Sequence, residues 1–513
     1  MRRKVTHMKR VVLLIACVCA LTLPVALCGC GGDKAEKSSQ IVVGIAQDLE
    51  DSLDPHKAVA AGTKEVLFNV YEGLLKPDSR GNLIPAVAES YEVSDDGMAY
   101  TFHLRNGVTF HNGNKVTAED VKYSLLKIAG KTGDTPMIPA YALIDEVTVE
   151  DAQTVCISLS EADVDFPAYL AMVNAAIIPA DNTTPDTVPI GTGPFCLTSR
   201  TVQDNILLTR YEDYWGTKAY LSQVKFRIVP EIDTVVMNLR GGSLDMYAHL
   251  TTDQVAQLGN DFQILEGTMN LVQALYLNNA VKPLDDVRVR QALCYAVDRK
   301  NILELTSEGK GTIIGSSMFP AFSKYYMPEL SRYYTRDIPK AKELLKQAGY
   351  PDGFSLTITV PSNYQPHINT AQVIVEQLKD IGVNADIKLV EWNTWLSDTY
   401  MGRNYESTVI GVDASYLTGR ALLERFYSKA DDNFTNFSDP AYDALYEKVI
   451  TLTDEDEKTD CYKAMEEILT KDAANVYIQD MAEFVALRNN YEGYEFYPLY
   501  VLDMSKIKPV QAE

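Results

Sequence analysis

Two short stretches carry side chains suited to holding a small molecule. In ESTVIGVDASYLTGR (406–420), Thr408, Val409, Ile410 and Val412 predict a buried strand, and Gly411 permits close backbone approach. Asp413, Ser415, Tyr416 and Arg420 follow at its end. In EWNTW (391–395), Trp392 and Trp395 come straight after a second predicted strand, 383–390. Ligands of open α/β sheets bind beyond the carboxyl ends of strands. Indole faces suit apolar side chains, sugars or cations in a closable cleft. Each residue also has a structural role open to it: the tryptophans as core, Asp413 as a turn acid, Arg420 as a surface charge or a partner of Asp413.

Covalent and metal chemistry find no comparable grouping. His103 and His111 lie eight apart, but Asn106-Gly107 and Asn112-Gly113 predict turns around them, and no further His, Asp or Cys completes a ligand spacing. GTGPF (191–195) has one GxG, Pro194 removes a backbone donor, and no GK[ST] follows. There is no GxSxG, HExxH or SxxK. No catalytic residue, metal or cofactor is expected, and a hydrolase is the minor alternative.

Strands and helices must position these residues. FSLTITV (354–360) and VNADIKLV (383–390) alternate with period two, and TAQVIVEQLKDIG (370–382) has helical spacing between them. Strand, helix and strand over this length predict a βαβ unit and a parallel sheet. Residues 81–112, with Gly and Asn-Gly turns, predict a meander of short antiparallel strands. Thr117 predicts the cap of a helix ending at Gly130, and Asp337 with Pro339 the start of one ending at Gly349.

Bulk properties set the compartment and exclude some partners. At 513 residues, two or three domains are expected. Acidic groups outnumber basic ones 70 to 47, for a formal charge of -23, which excludes nucleic acid as partner. MRRKVTHMKR followed by VVLLIACVCALTLPVAL has the form of a secretory signal. Leu27-Cys28-Gly29-Cys30 resembles a bacterial lipobox, so cleavage before Cys30 and lipidation of its thiol are expected. Removing residues 1–29 leaves 42 basic against 70 acidic groups, a charge of -28. Residues 31–40 are a polar tether. Cys156, Cys196, Cys294 and Cys461 are far apart and are expected as buried free thiols.

The segment AESYEVSDDGMAYTFHLRNGVTFHNGNKVTAEDVKYSL (88–125) resembles the signature of the family 5 extracytoplasmic solute-binding proteins, the oligopeptide-, dipeptide- and nickel-type receptors of ABC importers. SLDPHK (52–57), YEGLL (71–75), GTGPF, YEDYWG (211–216), PLDDVRVRQALCYAVDRKNI (283–302), AKELLKQAGY (341–350), EWNTWL (391–396) and FSDPAYDALY (437–446) match in the same order. The resemblance implies an α/β, two-lobe, type II periplasmic-binding-protein-like flytrap with an extra subdomain in the first lobe. Lobe I would take 41–75, 190–275 and 485–513, the inserted subdomain 76–189, and lobe II 276–484, with boundaries near 276 and 485.

That family places Trp392 in the ligand pocket, while Trp395 stays open between pocket and core. Backbone groups around Ala61 and Gly62 would add hydrogen bonds. Peptide-binding members have an Ala-Asp-Tyr-like segment whose Asp pairs with the ligand's amine. Here the triplet is Ala414-Ser415-Tyr416, and a serine cannot neutralise an ammonium. Asp413, two positions upstream of Ser415, would share its face in an extended chain and serve as a displaced anchor, or face a neighbouring loop. The implied function is a lipid-anchored, monomeric, extracytoplasmic receptor delivering a peptide or peptide-like solute to an ABC permease. Sugar, opine-like and metal-chelate ligands are alternatives, as is a sensory or adhesive lipoprotein.

Overall fold

The apolar run QIVVGI forms the strand Gln40–Ile45, with Ile41 and Val43 wholly buried. In the computed structural model, which describes residues 39–510 except 50, 51, 59, 134, 137, 363 and 415, this strand centres a seven-stranded sheet. It pairs in parallel with Gln223–Ile228 on one side and Met246–Leu250 on the other. The order across the sheet is 262–268, 482–488, 246–250, 40–45, 223–228, 205–210 and 195–201, and the outer pairs are antiparallel. This is lobe I. The expected secretory signal and the lipidated Cys30 lie outside the described residues.

Lobe II is a six-stranded sheet in the order 312–313, 475–480, 271–277, 407–413, 355–361 and 384–390. Its expected βαβ unit is present: Ser355–Pro361 and Asn384–Val390 pair in parallel, joined by the helix Gln365–Leu378. That helix starts five residues earlier than its periodicity predicts, because Pro366 suits a first turn where its missing N–H costs nothing. Apolar clusters cover both faces of the sheet, which is why strand Ser407–Asp413 begins with four buried residues in a row rather than an alternation.

Strands Ala88–Val93, Ala99–Leu104, Thr154–Leu159 and Ile144–Asp151 form a four-stranded antiparallel sheet of their own. The helix Ala118–Ile128 packs on it through Val121, Leu125 and Ile128, and Thr117 and Asp120 cap its start reciprocally.

The chain crosses between lobes twice, at 268–271 and 480–482, where one strand ends and the next begins almost at once. The crossings run side by side, with the Met269 N–H donating to the Met481 carbonyl at 2.8 Å. Residues 276 and 485, expected as boundaries, lie inside the strands Leu271–Leu277 and Ala482–Arg488. All four described cysteines are free; Cys294 and Cys461 are buried, whereas Cys156 and Cys196 are only half-buried. Among the described residues, no helix is long and apolar enough to cross a membrane.

Candidate functional site

A cavity of about 440 Å³ opens where lobe I, the inserted subdomain and the end of the lobe II sheet meet. The helix Ala61–Leu67 turns Lys64 and Glu65 to it, and Phe68 follows one turn after Lys64. Met172, Val173 and Asn174 come from the subdomain side. Met269 and Asn270 come from the first crossing, and Asp413 and Ala414 from lobe II. The wall is completed by Tyr494, Phe496, Tyr497 and Tyr500, in a C-terminal segment without regular structure.

Asp413 is the last residue of its strand and pairs with Leu271, the first residue after the crossing. This register puts its exposed carboxylate at the sheet's edge rather than within lobe II. Burial first, and then the Asp413 charge, push the Tyr500 hydroxyl up to about 12.

His249 lies at a register shift in its strand and has a left-handed backbone, φ 61°. Its Nε2 is 3.1 Å from Glu65 Oε1, and its Nδ1 contacts Glu483 Oε1. Burial alone would lower its pKa, but hydrogen bonds to Glu483 and Glu65 outweigh that and raise it to about 10. The ring also meets Tyr500, with centroids 5.6 Å apart.

Of the described residues singled out in the sequence as ligand contacts, Asp413 lines this cavity. Gly62 lies on the same helix as Lys64 and Glu65, with open space where a Cβ would stand, and Ala61 begins that helix. Ser415 falls outside the described residues. Trp395 is a core residue, 3% exposed, donating its indole N–H to Thr408 Oγ1 at 3.0 Å. Trp392 is half-buried and stacks on Trp395 with centroids 5.3 Å apart; its other neighbour is Tyr364.

Tyr416 donates to Glu424 and packs edge-on against Tyr169 of the subdomain. Arg420 pairs with Asp163 at 2.9 Å and with Glu424 at 3.1 Å, not with Asp413. Beside it, Thr418, Lys458 and Tyr462 all reach Asp165. These lobe II groups therefore hold the subdomain.

His111 receives the Gly191 N–H and contacts the Gly193 carbonyl, so it braces the GTGPF loop, and burial lowers its pKa to about 4. Sequence reasoning missed Glu65, Phe68, His249, Glu483 and the aromatic C-terminal wall. The one signal for the last was its composition, YEFYPLY, with four aromatic rings in seven residues (494–500).

The model for bacterial extracellular solute-binding proteins, family 5 Middle, matches residues 82–434. Heme-binding protein A of Haemophilus influenzae is 30% identical over 451 residues, covering 80% of this chain and 81% of that protein. The dipeptide-binding protein of Escherichia coli K12 is 28% identical, covering 81% of this chain and 84% of its own. Two solved structures share the fold. HbpA2 from Haemophilus parasuis matches with a TM-score of 0.83 and 25% identity over 92% of this chain and all of that one. DppA from Helicobacter pylori, in complex with the peptide STSA, matches at 0.72 and 27%, over 92% of this chain and 99% of its own.

Proposed function

The chain belongs to the bacterial extracellular solute-binding proteins of family 5, and from that premise we propose that the 440 Å³ cavity holds a peptide or peptide-like solute. The substrate-binding role is that of its relatives in ABC importers, which are binding proteins rather than enzymes. The observation that carries the ligand class is Asp413, the acid that lobe II presents to the cavity. A carboxylate there supplies the charge that Ser415 cannot, so the solute's ammonium sits on Asp413 while aromatic side chains enclose its apolar part. The relatives bearing dipeptide- and glutathione-binding names, and the peptide-bound neighbour, support this reading.

Lobe II closes on lobe I about the paired crossings at 268–271 and 480–482. The Arg420–Asp163 and Lys458–Asp165 contacts orient it against the subdomain. Cys30 carries the lipid that keeps the receptor beside its permease, and Cys30→Ser is expected to release the protein from the membrane fraction.

The decisive experiment is mass spectrometry of whatever leaves the purified chain on denaturation, followed by calorimetry with the compound found. One unmodified peptide per chain is expected, with Asp413→Asn weakening it about tenfold, near the value of one charge-assisted hydrogen bond. A neutral sugar, or a peptide whose affinity Asp413→Asn leaves untouched, sinks the assignment. Turnover of the compound would establish the hydrolase instead.

A further inference from the structure

We propose that the lobe I wall of the cavity is a second, cation-selecting subsite, built from Glu65 and Glu483 with His249 between them, so that the solute carries a basic side group besides its amine. This rests on reading the cavity as the solute site. The geometry around His249 fixes the charge of the wall. Both ring nitrogens face carboxylate oxygens, Nε2 at 3.1 Å from Glu65 and Nδ1 against Glu483. A neutral imidazole has one N–H, so both contacts are satisfied only by the imidazolium. Its donors are then both used, and the three side chains together carry one negative charge. Each carboxylate has a second oxygen able to accept from a ligand N–H.

The backbone is shaped to put this group at the cavity. His249 stands at a register shift between Tyr247 and Leu250, with φ 61°. Such irregularities re-aim a side chain, and their strain persists where the surroundings hold it. Here the two carboxylates and the Tyr500 ring hold it.

The cavity's charges do not balance. Lys64 and His249 stand against Glu65, Glu483 and Asp413, leaving one negative charge. A zwitterionic peptide places its amine on Asp413 and its carboxylate toward Lys64, and the surplus charge remains. Among aromatic walls an uncompensated charge is costly, whereas ring faces favour a cation. A guanidinium or second ammonium at Glu65 and Glu483 restores neutrality. The ligand class is thus a short peptide, or a peptide-like compound, bearing one net positive charge.

Calorimetry at low salt with the mature chain and three dipeptides, Phe-Arg, Phe-citrulline and Phe-Glu, tests this. Citrulline keeps the shape of arginine without its charge. Phe-Arg is expected to bind at least about tenfold tighter than Phe-citrulline, with Phe-Glu weakest. Glu483→Gln brings Phe-Arg to within about threefold of Phe-citrulline, through loss of Phe-Arg affinity. Should that variant fail to fold, Glu65→Gln is measured in its place. Equal binding of all three dipeptides overturns the subsite but leaves the cavity as the solute site. A preference that survives in the variant measured overturns the assignment to these carboxylates. Binding of none of the three overturns the subsite together with the peptide reading.

Discussion

Asp413 and His249 show how much at the residue scale depends on partners distant in sequence. Asp413 was legible because a strand's end is a predictable place for a ligand group. His249 was not: nothing within LDMYAHLTT signals that residues 184 positions upstream and 234 downstream supply its carboxylates. Its removal has a calculable consequence. His249→Ala leaves Glu65 and Glu483, both at least nine-tenths buried, facing one another without the cation between them. The half-exposed ring tempers the loss, so a cost of about 1–3 kcal/mol in urea unfolding at pH 7 is expected. The gap between variant and wild type should be widest below about pH 6.5 and narrow as pH rises toward 10, where the imidazolium loses its proton. A gap unchanged by pH would mean that the loss is packing alone. Trp395 teaches the converse. Its sequence position leaves pocket and core equally open, and only its partner decides: the indole is directed to Thr408 inside lobe II.

At the scale of elements, local chemistry was readable wherever the element is closed by its own residues. The capping pair Thr117 and Asp120, and Asp337 ahead of Pro339, start their helices as their side chains predict. The turn into the βαβ unit is similar but tighter. Gly353 has φ 81°, and a Cβ there would lie 1.9 Å from the Gly382 carbonyl oxygen. Gly353→Ala is therefore expected to cost at least about 2–3 kcal/mol, seen as a lowered urea midpoint with unchanged slope. The aromatic wall behaves differently, since 494–500 has neither helical nor strand period. A nearby glycine gives it room: a Cβ on Gly267 would meet the Phe496 ring at 2.6 Å. Gly267→Ala should displace that ring and weaken solute binding several-fold, with little change in Tm. An unaltered Kd would exclude Phe496 from the contact surface.

For the whole molecule, three proton-holding groups lie in different parts of the fold. Burial pushes Glu466 up to about 8 and Asp480, beside the second crossing, to about 7. The two carboxylates around His249 overcome burial and lift it to about 10. Each binds a proton in the folded chain that the unfolded chain has released. Stability is thus expected to fall as pH rises from about 6.5 to 8, at about 1.4 kcal/mol per pH unit for each of the two buried carboxyls while it stays protonated. His249 contributes less, because its partly exposed ring is screened by water. His111 and His367, lowered to about 4 by burial, act only below this window. Thermal melts across the window should show the decline, and Glu466→Gln should make it shallower. A Tm independent of pH in both proteins would contradict buried, protonated Glu466.

Family, lobe count and the βαβ unit were available from the sequence alone, because they rest on local periodicity, capping residues and ordered motif blocks. The position of Asp413 at a strand's end was available for the same reason. Only the tertiary structure decided what that edge faces. The cavity is made by bringing residues 58, 64, 65, 68, 77, 138, 171–174, 249, 269–270, 413–414, 483, 494 and 496–502 together, and neither periodicity nor propensity encodes contacts over such separations. It also decided that Arg420 and Tyr416 hold the subdomain, since their partners Asp163 and Tyr169 lie some 250 residues away.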